Sequence, residues 1–196
     1  MANERKRLYV IMCALAVAVV ALSIAYAALS ATLNIGVSSV QQTPQTWNVA
    51  FEAGTVNGTA AGTSAVGRSC GTATVNATTA SIAATELSKP GDKCTYALTI
   101  KNTGSINATL ASITPTQPTG TGVSCSTASG AQMVCGNITY TLASNTSGSL
   151  LPTGGTLAAS TGTLPVYLIA EFTGETLPGA EIVQSNAGFT LVYNQA

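Results

Sequence analysis

Histidine is absent from this chain, and charged residues make up only 7% of its 196 positions. An ordinary soluble domain carries roughly 25%. Without histidine there is no Ser-His-Asp triad and no histidine-ligated zinc. Seven Lys/Arg balance seven Asp/Glu, so the basic field that a nucleic-acid binder needs is also missing. Aromatics are scarce at 5%, yet 46% hydrophobic content argues against disorder, even though alanine inflates that figure. Threonine, serine, asparagine and 19 glycines stand where charge would be. Threonine suits strands, and glycine and asparagine suit turns, so the composition leans towards an all-β protein.

The first thirty or so residues are of another kind. Arg5-Lys6-Arg7 precedes an apolar run from Leu8 to Leu22 that continues past Ser23 to Leu29. Ala25-Tyr26-Ala27 near its end is a small-x-small pattern of the type signal peptidase reads. The run is also long enough for a retained membrane helix. A type IV pilin helix is a third reading, but such helices usually carry a cleavage point before the run and a glutamate just inside it, and neither is present. Residues 1–27 are expected to be a signal peptide cut between Ala27 and Ala28. Cleavage would remove Arg5, Lys6, Arg7 and Glu4, leaving four basic against six acidic side chains.

Cys13 would leave with the signal. Cys70, Cys94, Cys125 and Cys135 remain, an even number in a chain bound for an oxidising compartment. Four cysteines allow three pairings, of which neighbour pairing, Cys70 with Cys94 and Cys125 with Cys135, is the expected one. Free buried thiols are the alternative. A metal site is not expected, because it would want close CxxC pairs.

Period-2 stripes then recur, as half-buried strands require. Leu29, Ala31, Leu33, Ile35 and Val37 form the first and cleanest. Trp47, Val49 and Phe51 follow. Cys94, Tyr96, Leu98 and Ile100 lead to the turn Asn102-Thr103-Gly104, and Ile106, Ala108 and Leu110 come next, so these two stripes are expected to form a hairpin. Ile138, Tyr140 and Leu142 continue the pattern. Leu164 to Phe172 and Phe189 to Tyr193 complete it. Residues 54–67 and 114–130 read as long surface loops, and residues 81–87 as the best short helical candidate. Seven to nine antiparallel strands predict a single β-sandwich of jelly-roll or related topology over residues 41–196.

The chemistry is sparse. Glu52, Glu86, Asp92, Glu171, Glu175 and Glu181 are mostly isolated and beside turns, which reads as solvated loop charge rather than a glycosidase pair. No catalytic residue, metal site or cofactor is expected. Asn57, Asn76, Asn107, Asn137 and Asn145 head Asn-x-Ser/Thr sequons and are candidate glycosylation sites, though in a chain this rich in Ser/Thr several arise by chance. The stripe from Leu29 to Val37 begins at the expected new N-terminus. Such a strand can pair with its own sheet or complete a neighbour's, and the second choice gives an open head-to-tail filament.

Several stretches resemble TasA/camelysin-type surface proteins, a group that includes archaeal bundling pilins. They are Ala25-Tyr26-Ala27-Ala28-Leu29-Ser30-Ala31-Thr32-Leu33-Asn34-Ile35, Trp47-Asn48-Val49-Ala50-Phe51-Glu52, the run from Leu87 through Pro90-Gly91-Asp92 to Lys101-Asn102-Thr103-Gly104, and Phe189-Thr190-Leu191-Val192-Tyr193. The resemblance implies a jelly-roll subunit of extracellular biofilm fibres whose residues 28–40 act as a donor strand in the next copy. Partners would be identical subunits, joined head to tail, with lateral filament contacts, no nucleic acid, and membrane contact only during export. The low charge predicts that such lateral contacts depend little on salt. The metallopeptidase activity linked to camelysin does not carry over, because no HExxH helix is possible here. The other open class is a cell-surface adhesin or coat protein anchored by an uncut N-terminal helix.

Overall fold

The computed structural model describes Met12, Leu15 and Ala16 and residues 44–62, 68–83, 85–120, 123–177, 179 and 181–196. The expected cleavage residues Ala25, Ala27 and Ala28 and the stripe Leu29, Ala31, Leu33, Ile35 and Val37 lie outside the described residues. The chain falls into two compact units, Met1–Thr43 and Pro44–Ala196. In the first, Met12, Leu15 and Ala16 are helical and exposed.

The second unit is all-β and antiparallel throughout. Its strands are β1 (Val49–Phe51), β2 (Gly54–Asn57), β3 (Thr59–Ala61), β4 (Thr72–Val75), β5 (Ala80–Ile82), β6 (Lys93–Asn102), β7 (Ala108–Thr116), β8 (Cys125–Ser129), β9 (Gln132–Cys135), β10 (Ile138–Ala143), β11 (Thr156–Leu157), β12 (Gly162–Phe172) and β13 (Gly188–Gln195). The largest sheet runs β1-β6-β12-β10-β9-β8, with β3 also on β6; the others run β11-β7-β13 and β2-β4-β5.

β6 organises the fold. Along it every second side chain is buried, from Cys94 through Tyr96, Leu98 and Ile100 to Asn102. Its apolar stripe serves two cores. Ile100 packs with Ala108, Leu110 and Ile113 of β7, Leu142 of β10 and Val166 of β12. Cys94, Tyr96 and Leu98 pack with Ala73 and Val75 of β4. Each fully buried apolar side chain of this size contributes about 1.5–3 kcal/mol.

The expected hairpin between β6 and β7 does not form. β6 pairs with β1, β3 and β12, whereas β7 pairs with β11 and β13. The turn carries the chain from one sheet to another, and Ile100 of β6 and Ala108, Leu110 and Ile113 of β7 are buried in one cluster. Gly104 makes that crossing possible: a Cβ there would lie 2.6 Å from the Thr46 oxygen and 2.7 Å from the Asn48 nitrogen. Both expected surface loops also contain strands. β2 and β3 occupy residues 54–61, and β7 and β8 extend into residues 114–130. None of the described residues 81–83 and 85–87 is helical; Ile82 ends β5 and Glu86 bridges to Ser69. β2, β3 and β5 escape local pattern reading because each is only three or four residues long and shows almost no alternation.

Candidate binding groove

Sheet β11-β7-β13 ends at β13, and sheet β2-β4-β5 ends at β5; among the described residues each of these strands pairs on one side only. Between them opens a cleft of about 690 Å³. Phe51, Leu98, Ile100, Leu142, Val166 and Leu168 line it from the large sheet. Ala77 to Ile82 form one wall, and Asn186 to Leu191 with Tyr193 form the other. The N–H of Phe51 donates to the Ala77 oxygen at 2.9 Å and fixes the β4–β5 turn against β1.

Among the described residues, no carboxylate, ammonium, guanidinium or thiol lines this cleft. Its inward side chains Phe189, Leu191 and Tyr193 are only half-buried, although they belong to the core-facing stripe of β13. The Tyr193 hydroxyl is buried without a hydrogen-bond partner, and burial pushes its pKa up to about 12. An apolar floor from the large sheet, walls that mix small apolar residues with Thr, Ser and Asn, and two strand edges fit the cleft to receive an extended, uncharged segment.

The four cysteines pair as neighbours. Cys70 joins Cys94 with 5.5 Å between Cα atoms, and Cys125 joins Cys135 with 4.1 Å. The second bridge crosses directly opposed positions of β8 and β9. Two disulfides indicate an oxidising environment for the folded chain.

The carboxylates differ from one another more than the sequence suggests. Asp92 is not a solvated loop charge: it is fully buried. Its Oδ2 accepts from the N–H of Ser88 at 3.2 Å and of Lys89 at 3.0 Å, and its Oδ1 lies 3.6 Å from Arg68 Nη1. Pro90 and Gly91 shape the turn that holds it, with Gly91 at φ 86° and Asp92 N–H donating back to Lys89 O at 3.0 Å. This is a type II turn, and it makes Asp92 a fold-holding residue. Glu52 pairs with Lys101 at the surface. Glu175 is exposed and Glu171 half-exposed. No group of three or more His, Cys, Asp or Glu side chains that could hold a metal occurs among the described residues.

The sequon asparagines are scattered. Asn57 lies in β2 and Asn76 at the β4–β5 turn, both exposed. Asn107 is exposed and accepts from Ala159 N–H; exposed Asn145 accepts from Ser147 and Ser149 N–H. Asn137 is half-buried and its amide nitrogen donates to Thr176 O. Comparison with family models, curated proteins and solved structures finds no match.

The sequence reading identified the β13 stripe but not the groove beside it. Ala77 to Ile82 gave no usable signal, because β5 is three residues long and alternates only once.

Proposed function

We propose that this chain is the structural subunit of an extracellular filament, polymerised head to tail by donor-strand complementation. The large sheet and the two small ones would form a jelly-roll-like sandwich that lacks one strand, between β5 and β13. The observation that carries this reading is the groove between those two strand edges, whose described lining residues carry no charge. Its natural occupant is the Leu29–Val37 segment of a neighbouring copy, which is equally free of charge and alternates with the strand period. The resemblance to TasA/camelysin-type fibre proteins supports the same reading.

Burying the five stripe side chains would contribute on the order of 5–10 kcal/mol before association costs. Strand hydrogen bonds on both sides would add to this. The segment 1–27 would act in export and leave residue 28 at the free N-terminus, and side-by-side contacts between filaments would involve few charges.

The test is the double substitution Leu33→Asp/Ile35→Asp, followed by microscopy of the secreted material. Two carboxylates facing the groove should leave monomers and no filaments. Normal filaments from this variant would exclude donor-strand joining, and sequencing of the native N-terminus would show whether the segment is freed.

A further inference from the structure

We infer that the Leu29–Val37 segment of a second copy lies antiparallel along β13, in the one register that places Ala31 opposite Tyr193. The inference rests on the donor-strand reading and adds direction, register and the side-chain pair that sets them.

β13 turns Phe189, Leu191 and Tyr193 to the core side of the groove, while Thr190, Val192 and Asn194 are the exposed alternate positions, Thr190 at the groove's rim. The incoming stripe has the same period, so inward residues face inward residues and allowed registers differ by two positions. Tyr193 is the bulkiest inward side chain of β13, together with Phe189, and Ala31 is the smallest of the stripe. Pairing them in antiparallel sense sets Leu33 beside Leu191, Ile35 beside Phe189, and Val37 beside Ala187, the next small residue of that wall. The whole wall is then covered. A parallel strand with the same pair would carry Ile35 and Val37 past Gln195, where β13 ends.

A slip of two positions puts Leu29 or Leu33 against Tyr193. One direction of slip also sets Ala31 against Leu191. Overpacking at one level then coincides with a void at the next, and groove packing tolerates neither. A slip of four positions, which sets Ala31 beside Phe189, leaves Tyr193 beyond Leu29 and uncovered; register is thus fixed by side-chain size together with coverage of the whole wall, with no charge involved.

Cysteine pairs at the exposed alternate positions test this with the inward stripe left intact. In assembled filaments, Thr32→Cys with Val192→Cys, and Asn34→Cys with Thr190→Cys, should give disulfides between copies, identified by the masses of the linked peptides. Thr32→Cys with Thr190→Cys should give none. Efficient linkage of that last pair would overturn the register and leave donor-strand joining intact. No linkage between copies at any pair would overturn both.

A second measurement uses size alone. Ala31→Leu should lower filament yield about tenfold or more, a typical consequence of overpacking. Tyr193→Val should restore yield to the Ala31→Leu chain, whereas Tyr193→Phe should not. Failure of that rescue in a folded, disulfide-bonded protein would overturn the assigned pair.

Discussion

The side-chain amide of Asn102 donates to the main-chain oxygen of Leu157, 3.2 Å away and 55 residues along the chain. The same amide donates to Ile106 O at 2.8 Å, and its Oδ1 accepts from Gly104 N–H at 3.0 Å. One fully buried side chain thus ties the end of β6, the crossing turn and β11 together. Asn102→Ala would strand these backbone groups and should destabilise the domain by about 3 kcal/mol in urea unfolding. Asn102→Asp keeps the shape but loses both donors and buries a charge, so it should cost at least as much. A loss under about 1 kcal/mol for the alanine variant would show that water replaces the amide.

Gly91 is conformationally required rather than sterically confined. A Cβ added there meets nothing within 4 Å, yet its φ is +86°. Gly91→Ala should therefore cost about 1–2 kcal/mol, the left-handed penalty alone. Asp92→Ala should cost more, because the N–H groups of Ser88 and Lys89 lose their acceptor and Arg68 loses its buried partner. The reverse ranking in unfolding measurements would mean that the turn backbone, rather than its carboxylate, holds this corner.

The two disulfides close loops of different length, with sequence separations of 24 and 10. Chain entropy assigns about 3.5 kcal/mol to the longer and about 2.8 kcal/mol to the shorter. Cys70→Ala/Cys94→Ala should be the more damaging double replacement, since it also opens the core around Tyr96 and Ala73. Equal losses from the two double replacements would assign the cost to something other than loop closure and that core.

Alkaline pH should unfold the domain earlier than its disulfides suggest. Tyr193 keeps its proton to about pH 12 when folded, against 10.0 when exposed, and burial also raises Tyr140. Between those values the unfolded chain releases its proton first, so stability is complete below about pH 10 and falls as pH rises through about 12. Tyr193→Phe should flatten that decline and leave neutral-pH stability unchanged or slightly higher, because it removes an unpartnered buried hydroxyl. A decline of undiminished steepness in the variant would place the titrating group elsewhere.

Local alternation was enough to locate β6, β10, β12 and the β13 stripe, because a strand's two faces are written into every second residue whatever the strand pairs with. The neighbour pairing of the cysteines was legible for a related reason: short loops bring such residues together in most arrangements. Even Pro165 is consistent with its strand, since it sits where β12 pairs with β6 before β10 joins. Pairing itself is not local. Whether the stripe of β7 lies beside that of β6 or opposite it depends on which arrangement buries both, and only the folded chain resolves that competition. The same holds for β2 and β3, which pair with β4 and β6 rather than with their chain neighbours, and for Asp92, which looks like any turn carboxylate until Arg68 and two backbone N–H groups close around it. The groove is the furthest from the sequence of all. It is a gap between β5 and β13, each paired on one side only among the described residues, and none of the described residues in its lining is unusual taken alone; only the pairing of distant strands brings them together.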